Sequence, residues 1–226
     1  EMAMLAAKDK GRHCFVSYSD AAAQAHDNRL LLTAGDEFLK ALKDKRVKLA
    51  FQPVMNAASR DASFHECLIR MIGDDGKMRS ASQFYPAIEK MGLSRLVDQY
   101  ALRMAINELG QFPDLSLSIN VSNETIAQQD WLRGLVRALR DAPSQARRLV
   151  VEITESAVLR NQSNLDRVVK TLRDLGCRIA LDDFGAGYTA FSQIKDLDID
   201  IVKIDKSFVR NISEEQNRLF VRTLQS

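Results

Sequence analysis

The stretch from Leu181 to Thr189 places two adjacent carboxylates, Asp182 and Asp183, directly after an apolar run. Adjacent like charges repel each other, which favours protonation of one of them unless a cation lies nearby. Magnesium, manganese or calcium would suit such oxygen ligands better than zinc. An exposed β-turn is the alternative, because Asp and Gly are common turn residues. The stretch alone leaves both interpretations open.

Polar residues recur where other apolar runs end. Asn120, Glu152 and Lys203 follow such runs, while Glu66 lies inside the second run with Arg70 at its close. The carboxyl ends of parallel strands meet at one rim, where α/β enzymes place their sites. The acids and Asn120 are oxygen ligands for one or two hard cations, while Lys203 and Arg70 suit phosphate oxygens or a nucleophilic water. Two metal ions about 4 Å apart activate a bridging water and neutralise the attacking and leaving oxygens. The set therefore predicts phosphodiester hydrolysis.

From Val47 onward, short apolar runs alternate with amphipathic helical patterns. The runs are Leu49–Val54, Phe64–Ile69, Leu115–Val121, Leu149–Ile153, Cys177–Leu181 and Ile199–Ile204. Strands that are apolar on both faces and separated by helices predict a parallel sheet covered by helices. A closed (β/α)₈ barrel needs eight strands, so two would be absent from this chain. An open doubly wound sheet needs no more. Periodicity leaves both folds open.

Composition excludes several classes of protein. The 226 residues include 32 basic and 30 acidic side chains, a net charge of +2 that predicts no binding to nucleic acid polymers and no membrane contact. The three cysteines form no C-x-x-C pair, so reduced thiols in a cytoplasmic protein are expected and a zinc site is not. No apolar run reaches the roughly 18 residues of a membrane span. Glu66 does not belong to an H-E-x-x-H motif, because position 69 is Ile.

The residues before Val47 do not show this alternation of apolar runs and helical patterns. Residues 1–13 are typical of the end of a helix that Gly11 stops, and residues 14–18 of a short strand. Residues 21–43 are rich in Ala, Leu and Lys and predict a connecting helix with a break near Gly35. A chain that begins within a helix is expected to be part of a longer protein.

Six motifs in order resemble the EAL domain, a bacterial family that hydrolyses cyclic di-GMP. They are Phe51-Gln52-Pro53, Glu66-Cys67-Leu68 with Arg70, Ser118 to Ser122, Val151 to Ser156, Leu181 to Tyr188, and Val202 to Lys206. The resemblance covers residues 47–226. Residues 1–20 are similar to the C-terminal end of a GGDEF diguanylate cyclase domain, which leaves residues 21–46 as a helical linker.

The resemblance implies an α/β fold, a modified TIM (β/α)₈ barrel with its first strand antiparallel and its C-terminal strands absent from this chain. It implies that cyclic di-GMP is cut to linear pGpG with Mg²⁺ or Mn²⁺, and that the domain forms a homodimer. Implied metal ligands are Glu66, Asn120, Glu152, Asp182 and Asp183; implied catalytic residues are Lys203 and Glu66. Implied substrate contacts are Gln52, Leu68, Arg70 and Asp183. The implied regulatory loop comprises Phe184, Gly185, Gly187 and Tyr188, with Glu155 holding it.

Some positions depart from the family pattern. Cys67 replaces the middle Ala of the signature, Met71 stands where Trp is common, and Ser82 where Pro is common. A later family segment with another metal-binding Glu, and a substrate-site Gln, would lie beyond Ser226. A polypeptide of these residues alone is therefore expected to be inactive. A receptor that binds cyclic di-GMP without cutting it, and a scaffold that binds none, are the alternatives. The location implied is the bacterial cytoplasm, with tethering to a membrane through N-terminal domains left open.

Overall fold

The computed structural model describes residues 18–160, 162–185 and 197–225. The predicted GGDEF-like end and the strand at residues 14–18 fall almost wholly outside these ranges. The chain divides into two compact units, one built from residues up to Lys48 with Ile69–Leu93, the other from Leu49–Leu68 with the residues from Ser94 onward. Within the described ranges, no helix is long and apolar enough to cross a membrane.

The described residues form the following helices and strands. The helices are α1 (Tyr18–Lys43), α2 (Ala81–Lys90), α3 (Ser94–Gln111), α4 (Asn123–Ile126), α5 (Gln129–Leu139), α6 (Pro143–Ala146), α7 (Glu155–Arg160), α8 (Gln162–Asp174), α9 (Lys206–Arg210) and α10 (Glu215–Gln225). The strands are β1 (Val47–Met55), β2 (Ala62–Ile72), β3 (Met78–Ser80), β4 (Leu117–Val121), β5 (Leu149–Thr154), β6 (Arg178–Phe184) and β7 (Ile201–Ile204). All six predicted strands are confirmed, with ends shifted by a few residues. The short strand β3 was not predicted.

In the first unit, α1 is one continuous helix, so the predicted break at Gly35 is wrong. A side chain at this position would collide with the sulfur of Met91, which explains the glycine as a point of close contact. Three residues further along α1, Phe38 stacks on Phe84 of α2 with ring centroids 5.1 Å apart. Tertiary packing of this kind outweighs the modest helix propensity cost of one glycine.

The strands follow one another through the sheet in the order β1-β2-β4-β5-β6-β7, with β3 paired to β2. The pairs from β2–β4 through β6–β7 are parallel, whereas β3 is antiparallel to β2. The connection from β1 to β2, residues 56–61, is too short for a parallel crossover, so β1 runs antiparallel to β2. A doubly wound sheet reverses its strand order at a switch point. This order has no reversal, so it favours the barrel; among the described strands the sheet is not closed.

The two faces of the second unit's strands carry different side chains, because successive residues of a strand point to opposite faces. One face carries Ile119, Val151 and Ile179, which pack with Leu135 of α5 and Leu172 of α8 in the main core. The other face has only a small apolar cluster of Phe64, Val150 and Ala180. Period 2 places Glu66, Ser118, Asn120, Glu152 and Asp182 on this second face. The candidate site residues thus share one face of the sheet because of the alternation along each strand.

Gly185, which follows β6, has a φ of +95°, a conformation that residues with a side chain rarely adopt. A Cβ atom there would lie 2.7 Å from Phe208 and 2.9 Å from Phe220, whose rings stack. A Cβ atom at Gly134 in α5, by contrast, would have nothing within 4 Å.

We expect Gly185→Ala to lower the free energy of unfolding by about 1–3 kcal/mol. Gly134→Ala should raise it by about 0.5–1 kcal/mol through helix propensity.

Urea denaturation of both variants and of the wild type would measure these two changes. A loss of stability at Gly134 as large as that at Gly185, or no loss at Gly185, would contradict the assignment of Gly185 as a sterically required glycine.

Candidate functional site

Three carboxylates from three strands converge on the ammonium group of Lys203 in β7. Lys203 Nζ lies 3.1 Å from Glu66 Oε2 and 3.2 Å from Asp182 Oδ2, and it also donates a hydrogen bond to Glu152 Oε2. Asn120 Nδ2 donates to the other oxygen of Glu66 at 3.0 Å. The structure therefore brings together five of the side chains that were predicted to meet at the strand ends.

Strand register explains this convergence. In the parallel ladder Glu66 lies opposite Ser118, Asn120 opposite Glu152, and Thr154 opposite Asp182. Each polar side chain thus lies on the same face as its neighbour on the next strand, either directly opposite it or two residues further along. A shift of one residue in any strand would turn its polar side chain into the helix-covered core.

A β-bulge in β6 determines the positions of Asp182 and Asp183. Leu181 pairs with Val202 and Phe184 pairs with Ile204, so both aspartates between them lie opposite the single residue Lys203. The extra residue is Asp183, whose φ of +54° is in the left-handed region, where Asp is tolerated better than most side chains. Its N–H donates to Asp182 Oδ1 at 3.0 Å. Bulges of this kind re-aim side chains next to active sites.

The electrostatics of the cluster follow from its burial. Burial alone lowers the pKa of Lys203, but its hydrogen bond to Glu152 and the charges of Glu152, Asp182 and Glu66 outweigh burial and raise that pKa. Burial raises the pKa of Glu152, and the Lys203 ammonium offsets part of that rise. The pKa of Asp183, an exposed residue with a partly buried carboxyl, is raised first by burial and then by Asp182. A neighbouring cation therefore favours the charged forms of Glu152 and Asp183.

One site residue was not singled out from the sequence. Ser118 is fully buried on the same face as Asn120, two residues away within the Ser118-Ile119-Asn120 motif. Its Oγ and Glu152 Oε1 are both buried without a hydrogen-bond partner among the described residues. The hydroxyl still lies close enough to lower the pKa of Glu152 somewhat. The period-2 spacing from Asn120 was the signal that could have identified it.

The donor set fits a hard divalent cation. It contains carboxylate and amide oxygens only, the ligands that Mg²⁺ and Mn²⁺ prefer, and Glu152 Oε1 has no other partner among the described residues. As the described side chains stand, however, no three of the acidic, histidine or cysteine residues surround one point closely enough to hold a metal ion. The carboxylates surround the Lys203 ammonium instead. A cation that binds them therefore competes with this lysine.

Glu155 is buried and accepts a hydrogen bond from the N–H of Gly185 at 3.0 Å, next to the bulge. The residues on either side of Glu155 are held by Asn123. Thr154 Oγ1 donates to Asn123 Oδ1 at 3.2 Å, Asn123 Nδ2 donates to Ser156 Oγ at 3.0 Å, and the two hydroxyls lie 3.0 Å apart. We call these three residues the Asn123 triangle.

The remaining predicted residues lie elsewhere or outside the description. Gln52 is exposed in β1, and Leu68 is half-buried in β2. Arg70 belongs to the first unit and donates a hydrogen bond to the carbonyl of Ile69 at 2.9 Å. Phe184 is buried and stacks on Phe220. Gly187 and Tyr188 lie outside the described residues.

Cys67, the central residue of the signature, faces the main core rather than the site. Burial, with a smaller contribution from Glu152, raises the pKa of its thiol to about 12. A thiol with such a pKa stays protonated and unreactive at neutral pH. Cys67 is therefore a packing residue.

A nearly parallel α/β sheet of barrel order, with acids and a lysine at its strand ends, defines a barrel-type protein with a charged site at the carboxyl rim. The family model described as "EAL domain" matches residues 36–226. The chain belongs to the EAL domain family.

The curated relatives include the cyclic di-GMP phosphodiesterase PdeF of Escherichia coli (strain K12), which is 32% identical over 177 residues, covering 76% of this chain and 23% of PdeF. This chain spans about a quarter of the length of the curated relatives it matches.

Among solved structures, the FimX EAL domain from Pseudomonas aeruginosa bound to c-di-GMP is 25% identical, with a TM-score of 0.75 and coverage of 84% of this chain and 78% of that one. A c-di-GMP complex of the PaMucR phosphodiesterase has a TM-score of 0.76 at 24% identity, with coverage of 84% and 79%. The expected modified barrel fold is confirmed.

The Asn123 triangle provides a test of how Glu155 is positioned. Asn123→Ala removes both hydrogen bonds that hold Thr154 and Ser156, so Glu155 should hold Gly185 less firmly. We expect faster amide exchange at Gly185, by about 5-fold, which corresponds to about 1 kcal/mol for one net hydrogen bond. Asn164→Ala, which removes a 2.8 Å hydrogen bond to the carbonyl of Ile126, is the matched control.

Hydrogen exchange followed by NMR would measure both variants. Equal acceleration at Gly185 in the two variants would indicate a general loss of stability and would contradict a specific role of Asn123.

Proposed function

We propose that this domain, in the complete protein, hydrolyses cyclic di-GMP to linear pGpG in a reaction that depends on Mg²⁺ or Mn²⁺. The observation that carries the proposal is the convergence of Glu66, Glu152 and Asp182 on Lys203, with Asn120 bonded to Glu66. Relatives named as cyclic di-GMP phosphodiesterases, at about 30% identity, support it. Replacing a buried ion pair such as Glu152–Lys203 by apolar residues is often neutral or stabilising, so a functional reason for this cluster is favoured over a structural one.

Glu66, Asn120, Glu152 and Asp182 are the residues that would hold the cation, with Asp183 beside a second one. When bound, the cation lowers the pKa of a coordinated water and neutralises charge on the phosphate. The bulge in β6 supports this assignment, because it places both aspartates opposite Lys203 of the neighbouring strand β7. Glu152 is the most deeply buried of these acids, so its charge has the strongest need of a cation.

Lys203 has two functions in this proposal. Without a divalent cation its ammonium offsets part of the negative charge of the three carboxylates. With one, its N–H groups are free to orient the attacking water or a phosphate oxygen, since an ammonium has three donors and no acceptor. Gln52, Leu68, Arg70 and Asp183 remain the proposed contacts of the dinucleotide. Glu155, Phe184, Gly185, Gly187 and Tyr188 remain the proposed loop that shapes the metal site.

A receptor that binds cyclic di-GMP without hydrolysis is the second candidate. The acids contact the Lys203 ammonium rather than an open coordination site, which is an arrangement that needs no metal ion. The FimX EAL domain, whose structure is described as bound to c-di-GMP, is similar to this chain at 25% identity. In the receptor, the lysine would keep its contacts with the carboxylates permanently.

The organisation around the domain also remains proposed. We infer that residues 1–20 end a GGDEF-like domain, that residues 21–46 link it to an EAL domain over residues 47–226, and that EAL domains pair as a homodimer. A bacterial cytoplasmic location follows from the second messenger that the domain is proposed to act on.

Hydrolysis by the complete protein is the direct test. We expect pGpG formation with Mg²⁺ or Mn²⁺, and a loss of at least about 100-fold in kcat in Glu66→Ala and Lys203→Ala, as for removal of a group that acts on the reacting water. Lys170→Ala, at an exposed position of α8, is the control and should keep full activity. Tight binding of cyclic di-GMP without turnover in the wild type would instead establish the receptor.

Competition between Lys203 and a divalent cation can be tested without activity. Lys203→Met leaves buried carboxylates without their cation, which should lower the free energy of unfolding by about 3–5 kcal/mol. Mn²⁺ should restore part of this loss, because it binds the folded state only. We therefore expect the melting temperature of Lys203→Met to rise with Mn²⁺ more than that of the wild type.

Differential scanning fluorimetry with and without Mn²⁺ would measure these shifts, with Lys170→Met as control. Equal Mn²⁺ responses in Lys203→Met and the wild type would argue against competition between Lys203 and the cation, and no response in either would argue against a cation site among these acids.

A further inference from the structure

A groove of about 560 Å³ lies between α5 and α8, on the outer, helical layer of the second unit and separate from the candidate site. Its floor is apolar, formed by Leu132 and Val136. Its rim carries four guanidinium groups. We define the arginine groove by these residues: Leu132, Val136, Arg133, Arg137, Arg140 and Arg167. Asp141 is the acidic residue that lines it.

The arginines of α5 are crowded in a way that costs stability. Arg133 and Arg137 are spaced i, i+4, and Arg137 and Arg140 are spaced i, i+3. Each like-charge pair at these spacings destabilises a helix by about 0.2–0.5 kcal/mol. The exposed face of α8 shows the opposite pattern, because Asp166, Lys170 and Asp174 alternate in charge at i, i+4. The charge arrangement of α5 is therefore not a general property of this layer.

Contacts among the described residues do not neutralise all the arginines of the groove. Arg133 pairs with Asp130, and Arg167 donates a hydrogen bond to Asn164. Arg137 and Arg140 have no side-chain partner among the described residues. The dipole of α5 favours a cation in its last turn, by about 0.3–1 kcal/mol. That favours Arg137 in the last turn and Arg140 at the C-cap, but the dipole supplies no side-chain partner for either guanidinium group.

The shape of the row indicates the kind of ligand. Arg133 to Arg140 covers about 10 Å of helix, at about 1.5 Å per residue, so the charges form a line instead of converging on one point. A single phosphate would engage one guanidinium fork at a time. A helix with acidic side chains at i, i+4 and i+7 would match the line, and its apolar residues would meet Leu132 and Val136 in the helix-in-groove mode.

We propose that the arginine groove is a docking surface for an acidic amphipathic helix of a partner protein. Arginine suits this task, because its fork binds carboxylates in a bidentate manner and its aliphatic stem covers apolar surface. Four guanidinium groups against two carboxylates, Asp141 in the lining and Asp130 paired with Arg133, leave an excess of positive charge that favours acidic partners. This surface is independent of cyclic di-GMP chemistry.

The test uses a fluorescent synthetic helical peptide with Glu at i, i+4 and i+7 and Leu on the adjoining face. A second peptide of the same composition has the Glu positions scrambled. Fluorescence anisotropy would compare the wild-type chain with the double variant Arg137→Glu/Arg140→Glu. The double variant Arg210→Glu/Arg218→Glu changes the net charge equally at exposed positions of the C-terminal helical region and is the matched control. Thermal melting would verify that all three proteins are folded.

We expect the matched peptide to bind the wild type and the control variant alike, and the groove variant about 10-fold more weakly, as for loss of complementary charges at an interface. The scrambled peptide should bind the wild type about 5-fold more weakly than the matched one, and salt should weaken all binding. Equal affinity for both peptides, an equal loss in the control variant, or no binding would overturn the proposal. Tighter binding of a single-stranded RNA of similar charge would also overturn it, in favour of a nucleic-acid surface.

Discussion

The contact of the Lys203 ammonium with carboxylates from three strands is the interaction on which the site depends. Glu66, Glu152 and Asp182 would repel one another if they stood alone on this face of the sheet. Removing one partner of a buried ion cluster is far more costly than never having built it, because the remaining charge is left without a counterion. The lysine thus allows the acids to be present at all, and it ties β7 to β2, β5 and β6.

The bulge in β6 is the second constraint, and it follows from the first. A regular strand would place Asp182 on the site face and Asp183 on the core face, where a charge would be buried without a partner. One extra residue opposite Lys203 removes that conflict and returns Phe184 to the apolar core. Gly185 then turns the chain where no side chain fits, and Glu155 binds its N–H. Asp182, Asp183 and Gly185 therefore depend on the same local backbone conformation.

Much of this architecture was predictable from patterns that depend on local chemistry. The strands were predictable because their apolar runs are long and interrupted by helical stripes, and the rim residues because parallel strands end together. Strand β3 was not predictable, since three residues after the turn at Gly76 carry no periodicity. The close contact of Gly35 with Met91, which is distant in sequence, could not be predicted, so the glycine indicated a helix break instead. Ser118 was not predicted because a small polar residue within an apolar strand is a weak signal, and only its period-2 spacing from Asn120 indicated the site face.

The proposed phosphodiesterase and the proposed receptor differ in whether the acids exchange their contact with Lys203 for a divalent cation. In the structure, one tethered ammonium contacts three carboxylates, so it offsets only part of their negative charge. A divalent cation carries twice the charge and accepts several oxygen ligands at once, whereas the ammonium donates three hydrogen bonds. Glu152 Oε1, buried and without a hydrogen-bond partner among the described residues, is an oxygen that the ammonium leaves unused and a cation would use. The lysine is thus the partner that these acids have in the structure, and Glu152 Oε1 is the oxygen that the proposed divalent cation would use in addition.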